Sequence, residues 1–185
     1  RVFREYYENN YSYLEKEETS QIKIKNELSI VSRTGREEAD FHNIEFSRIL
    51  MAWSIPSLKN KRINIGFEIL SSILSVGRNS RLVKALKEHK HLVQSIYVDV
   101  NAGELGGLLI IEACCDNINL KNVEEEINKI IEEVIICENL TLNELRKAIN
   151  IVKSNYIFNL ETSTQLTSYF GNELLWGRKN LIKNF

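Results

Sequence analysis

Three histidines, His42, His89 and His91, are the residues best suited to metal ligation or proton transfer in this chain. A helical H-x-x-E-H sets two imidazoles on one face to hold zinc, with the Glu beside them as base. His42-Asn43-Ile44-Glu45-Phe46 carries the first His and the Glu at that spacing, but Phe46 stands where the second His is needed. The stretch also reads as strand entry, not helix, so no metal site is expected there. His89-Lys90-His91 sends its two rings to different sides of a helix, which prevents joint ligation. A solvated loop after a short helix is the expected setting.

The other candidates resolve into structure. Glu17-Glu18, Glu37-Glu38 and Glu132-Glu133 are adjacent acids. General acid–base work needs two carboxyls in different environments within a cleft, whereas neighbouring surface acids form a solvated face. Cys114, Cys115 and Cys137 are odd in number, two of them adjacent, and no C-x-x-C occurs. That excludes a disulfide framework and a cysteine zinc site. Reduced thiols acting as small hydrophobes in a cytoplasmic protein are expected. No phosphate loop and no G-x-S-x-G elbow occurs, and Gly103-Glu104-Leu105-Gly106-Gly107 reads as a turn between strands. No catalytic and no metal-ligating residue is assigned.

These residues sit in a chain of ordinary globular composition, 43% hydrophobic and 26% charged over 185 residues. Its net charge of -1 gives no field for nucleic acid. Apolar runs such as Leu105 to Ile111 are far too short to span a bilayer, so no membrane partner is expected. The chain opens at Arg1 and not at Met, which reads as a fragment with any leader upstream.

The hydrophobic periodicity orders the elements. Val2, Phe3, Tyr6, Tyr7 and Tyr11 fit a short amphipathic helix, and Ile22, Ile24, Leu28 and Ile30 alternate partly, as in a strand. Arg33 to Glu38 is a polar turn or linker, and the main boundary falls near residue 40. Phe46 to Ile55 reads as a strand that stops at Pro56, which cannot donate to a ladder. Gly66, Ile69, Leu70, Ile73 and Leu74 then recur at helical spacing, with Gly77 as a cap. Ser80 is expected to cap a second, shorter helix carrying Leu82 and Leu86.

Ile96, Val98 and Val100 alternate with Tyr97 and Asp99, a half-buried strand. A hairpin turn at Asn101-Ala102-Gly103 leads to the partner strand, Leu108 to Cys115. Val123, Ile127, Ile130, Ile131, Val134 and Ile135 form one helical stripe, with Glu124 to Glu126 near its N-terminus. Thr141-Leu142-Asn143-Glu144 is a capping box for a helix carrying Leu145, Ala148, Ile149, Val152 and Tyr156. A last helix carries Leu166, Tyr169, Phe170 and Leu174 and is expected to end at Trp176-Gly177. The expected class is α+β, a largely antiparallel sheet with helices packed on one face.

Arg48 to Trp53, the Gly77-Arg78-Asn79-Ser80-Arg81-Leu82 turn, Leu86-Lys87-Glu88 and Thr141-x-x-Glu144-Leu145 occur in an order that resembles the M16 metallopeptidases of the pitrilysin, insulinase and mitochondrial processing peptidase type. Specifically, they resemble the non-catalytic second half-domain, over Phe41 to Gly177. The resemblance implies an M16/LuxS-like half-domain that pairs with a similar one bearing zinc. It divides the chain into 1–14, the tail of a preceding half-domain, 15–40, a linker with a possible strand, and 41–185, the inactive half-domain, incomplete at its C-terminus. In active members an Arg and a Tyr in an L-R-x-x-x-G-L-x-Y pattern are thought to hold the substrate carbonyl. The matching positions here are Lys87 and Gln94, with His91 at the glycine. Lysine keeps the charge without the planar fork, and Gln can donate but is no phenol.

The resemblance implies a fragment of a zinc-dependent peptidase that supplies the non-catalytic half of a peptide chamber. The fragment itself would be inactive and free of cofactor, with zinc in the parent. Its partners would be the zinc-bearing half-domain, a peptide substrate and a second copy of itself. Two alternatives stand beside this: a scaffold or partner subunit without zinc ligands, and an unrelated α+β interaction module.

Overall fold

The computed structural model describes residues 34–175, apart from 43, 59, 104 and 137–139. The expected N-terminal helix, the 22–30 strand, Cys137 and the end at Trp176-Gly177 lie outside the described residues.

The described residues ahead of the first strand, 34–46, have no regular structure, and Arg36 ties them down. Its Nη1 donates to both Glu124 oxygens at 2.8 Å and its Nε to Glu38 at 2.7 Å. Three strands follow: β1 (Ser47–Ile55), β2 (Ser95–Ala102) and β3 (Gly107–Cys115). They form one antiparallel sheet in the order β1-β3-β2. β3 pairs β1 from Ser47↔Cys115 to Ile55↔Gly107 and β2 from Ser95↔Cys114 to Ala102↔Gly107.

The period of two decides which face is buried. Ile49, Met51, Trp53 and Ile55 of β1 point the same way as Ile96 and Val98 of β2 and Leu109, Ile111, Ala113 and Cys115 of β3. This face meets Leu74, Leu82, Leu86, Val123, Ile127 and Ile130 from the helices in one core. The other face leaves Leu50, Tyr97 and Leu108 exposed, so the helices do lie on one side. Each fully buried Leu or Ile stabilises the fold by roughly 1.5–3 kcal/mol relative to exposure.

Helix α1 (Lys61–Ser75) starts where Asn60 accepts from the Ile63 N–H, and it ends before Gly77 at φ 87, the left-handed residue a helix stop favours. Its last residue also covers an edge of the sheet. The Val98 N–H donates to Ser75 Oγ at 3.1 Å, and the Val100 N–H to Asp99 Oδ1 at 2.9 Å. Two outward donors of β2 are thereby consumed, which blunts this edge against further pairing.

The hairpin turn falls between Ala102 and Gly107, within the glycine run read as a turn and not at Asn101-Ala102. Asn101 and Ala102 remain in β2, and the Gly103 N–H donates to the Gly106 carbonyl at 2.9 Å. Gly107 is fixed by close approach: a Cβ there would lie 2.4 Å from the Asn101 carbonyl oxygen.

Helix α2 (Leu120–Ile135) buries Val123, Ile127 and Ile130, but its first turn holds no acid. It begins earlier than the apolar stripe suggests, so Glu124 to Glu126 do not serve the helix dipole. Glu124 binds Arg36, and Glu126 pairs with Lys90. Helix α3 (Leu142–Phe158) carries the complete capping box, Thr141 with Glu144. It packs on α1, where the Tyr156 hydroxyl donates to Glu68 at 3.1 Å. Burial raises the Glu68 carboxyl above its usual range, with the Tyr156 hydrogen bond and Lys61 opposing. Helix α4 (Ser163–Leu175) follows and holds the Tyr169–Phe170 edge-to-face contact.

Candidate substrate-contact site

Between α1 and β2 the chain forms a seven-residue π-helix, Val83–His89, where the sequence suggests an ordinary short helix. Leu82 and Leu86 are both fully buried, and Val93 is buried just before β2. Leu82 and Leu86, four residues apart, lie on one face of this segment, toward the core. The Lys90 N–H reaches the Ala85 carbonyl at 3.1 Å, and the Leu92 N–H reaches the Leu86 carbonyl at 2.8 Å. The first spans five residues, as in π rather than α winding, and the second spans six and closes the helix end across His91. Ser80 does not cap this helix. Its hydroxyl donates back to the Gly77 carbonyl at 2.7 Å, and no side chain caps the π-helix start.

The chain then reverses at His91, whose φ of 50 is positive, alone among the described non-glycine residues. That backbone suits glycine, and His91 occupies the glycine position of the L-R-x-x-x-G-L-x-Y pattern. Lys87 lies within the π-helix and Gln94 just ahead of β2, both exposed. Each follows a core anchor, Leu86 and Val93. The Gln94 N–H donates to the Cys114 carbonyl at 2.8 Å, which ties this position to the end of β3. The structure therefore places both residues on one short, anchored connection with their side chains outside the core.

Three ion pairs frame it. Arg78 donates to Glu88 at 2.8 Å, and this bond holds the Glu88 carboxyl below its usual range. Arg81 donates from Nε and Nη2 to the two Glu144 oxygens, at 3.0 and 3.2 Å. The same carboxylate closes the capping box, accepting from the Thr141 N–H at 3.1 Å. Arg81 is the largest cause that lowers the Glu144 pKa, and Glu144 raises that of Arg81. Lys90 pairs with Glu126. The sequence marks Glu144 only as a cap; its second role depends on an arginine 63 residues away. The signal available was the Ser80-Arg81-Leu82 step itself, a cation beside a core leucine.

The described residues do not assemble a zinc site. His42 lies in a turn and Glu45 in a bend before β1, not on a helix. His89 and His91 are exposed on either side of the turn. Among the described residues no three His, Cys, Asp or Glu side chains gather as a ligand set. Cys115 is buried in the core, where desolvation pushes its thiol pKa up, and Cys114 lies on the outer face between Arg48 and Ser95. No helix of the described residues is long and apolar enough to cross a membrane.

This order of strand, helix, turn and hairpin is shared with known proteins. The model of the peptidase M16 inactive domain matches residues 3–152. The chain belongs to the peptidase M16 inactive-domain family. Among solved structures, a protease from Helicobacter pylori superposes with TM-score 0.67 and 22% identity, over 74% of this chain and 33% of that one. A conserved protein from Enterococcus faecalis V583 gives 0.59 and 17%, over 75% and 32%. The peptidase M16 inactive domain from Pseudomonas fluorescens gives 0.58 and 14%, over 72% and 31%. At these identities the structures show a shared M16 half-domain fold. The chain spans about a third of the length of each. A search of curated proteins finds no match.

Proposed function

We propose that this chain is the non-catalytic half of a zinc-dependent M16 peptidase and supplies one wall of its peptide chamber. The observation that carries the reading is the inactive-domain match over residues 3–152, joined to a helix–turn–strand connection that presents Lys87 and Gln94 outward. In this reading the zinc and its general base belong to a companion half-domain. Lys87 contributes a charge and Gln94 a hydrogen-bond donor toward a peptide carbonyl, an electrophilic role for groups placed where charge develops. The exposed sheet face and the free thiols of Cys114 and Cys115 suit docking to that half-domain in a reducing, cytoplasmic setting.

The test is direct. The 185-residue chain alone is expected to hydrolyse no unstructured peptide. Co-expressed with a zinc-bearing M16 half-domain from its parent, it is expected to co-purify and to restore chelator-sensitive hydrolysis. Chelator-sensitive turnover by the chain alone would sink the reading. The substitution of Lys and Gln for an Arg and Tyr favours a second reading, a scaffold subunit that completes a chamber for an active partner. Lys87→Ala and Gln94→Ala separate the two: loss of turnover in the complex supports contact with substrate, and unchanged turnover supports the scaffold.

A further inference from the structure

We propose that the π-helix and its turn form a cationic surface that selects acidic peptide segments. The inference rests on the peptide-chamber reading above and adds the class of substrate. Residues 77–94 hold five Lys and Arg, Arg78, Arg81, Lys84, Lys87 and Lys90, against the single carboxylate of Glu88. The whole chain is at -1, so positive charge is concentrated in this stretch.

Three of the five cations are already neutralised within the fold. Arg78 is held by Glu88, Arg81 by Glu144 and Lys90 by Glu126. These pairs also remove the acids nearest the turn from competition. The side chains of Lys84 and Lys87 remain exposed and make no ion pair or hydrogen bond among the described residues, though the Lys87 charge is felt by the neighbouring Glu88. His89 and His91 flank them, equally exposed. The two lysines lie on a backbone anchored by the buried Leu82, Leu86 and Val93, so their attachment points are held while neither ammonium is taken up in an ion pair among the described residues.

An acidic peptide fits better than a nucleic acid. No Phe, Tyr or Trp occurs between residues 77 and 94 to stack bases. Gln94 stands exposed beyond the turn, just ahead of the strand that begins at Ser95, and its side-chain amide can meet a peptide carbonyl. A carboxylate on the peptide would meet two exposed lysines that no carboxylate among the described residues holds in an ion pair.

The experiment measures fluorescence anisotropy of three labelled unstructured peptides of equal length, acidic, neutral and basic, against the 185-residue chain at low salt. The acidic peptide is expected to bind roughly three- to tenfold tighter than the neutral one, as two exposed charge pairs allow. That preference should vanish near 1 M salt, where the Debye length is about 3 Å. Lys84→Glu/Lys87→Glu should abolish or invert the preference. The same charge change on α3, Lys147→Glu/Lys153→Glu, should leave most of it, and circular dichroism confirms that both variants fold. Equal binding of all three peptides overturns the inference and leaves the chamber reading standing. An equal loss in both double variants overturns it too, since net charge alone then accounts for the effect. A single-stranded oligonucleotide of matched charge binding as tightly overturns the assignment to peptide. Failure to bind any peptide overturns the inference and removes the substrate-contact role of this half-domain with it.

Discussion

Replacing His91 by glycine should stabilise this protein, and the reason lies in the backbone alone. His91 holds φ 50 at the reversal between the π-helix and β2. An L-residue in the left-handed region costs roughly 1–2 kcal/mol relative to its right-handed form. Glycine removes that cost but loses about 0.5–1 kcal/mol more backbone entropy on folding. The balance is a gain of about 0.5–1 kcal/mol. The imidazole is exposed, and its attraction for Glu88 is the smallest of the influences on that carboxylate, so its removal costs little. For a chain of this size the gain corresponds to a rise in Tm of roughly 1–4 °C. The assay is thermal and urea unfolding of wild type, His91→Gly and His91→Ala, followed by circular dichroism. His91→Ala keeps the positive φ and should gain nothing. The urea midpoint of His91→Gly should rise with an unchanged slope, since the surface exposed on unfolding is the same. A His91→Gly protein no more stable than wild type, or a His91→Ala protein that gains as much, would refute the backbone argument.

Other perturbations test the scaffold around the site. Gly107→Ala places a Cβ 2.4 Å from the Asn101 oxygen and 2.7 Å from the Ala102 Cα, so the hairpin must open; a loss of about 2–3 kcal/mol in urea unfolding is expected. Glu144→Gln weakens both the Arg81 pair and the capping box and should cost about 1–2 kcal/mol at neutral pH. Because Arg81 lowers the folded-state pKa of Glu144, this stabilisation is complete above the ordinary carboxylate range and is lost as pH falls through the lowered value. The gap between wild type and Glu144→Gln should therefore close in acid, as unfolding curves at several pH values would show. Tyr156→Phe removes a bond that favours ionised Glu68 and should cost about 1 kcal/mol at pH 7. Glu68 is the opposite case: its folded value is raised by burial, so its ionisation detracts from stability as pH rises through its titration range. The Tyr156→Phe deficit should be largest above that range, and a pH-independent deficit would reject the assignment.

The strands were legible because alternation is a local property. Ile96, Val98 and Val100 announced β2, and Pro56 set the end of β1 to within a residue. The Thr141–Glu144 box was legible for the same reason, since its partners lie within one turn. The start of α2 at Leu120 was not read because Lys121 and Asn122 interrupt the apolar signal, although Leu120 stands three residues before Val123 and packs on the core. The glycine run 103–107 was legible as a turn, but the close approach that demands glycine at 107 was not.

By itself, then, the sequence determined the α+β order and the sidedness of each strand; Lys87 and Gln94 entered only through the family resemblance. Tertiary structure decided the rest. The π winding between the buried Leu82 and Val93 and the positive φ of His91 are visible only in the folded chain. Which cations are neutralised also depends on distant helices: Arg81 meets Glu144 and Lys90 meets Glu126, while the Lys84 and Lys87 side chains form no ion pair among the described residues. Local spacing sets periodicity and caps, but charge pairing and helix winding follow from what the fold brings alongside.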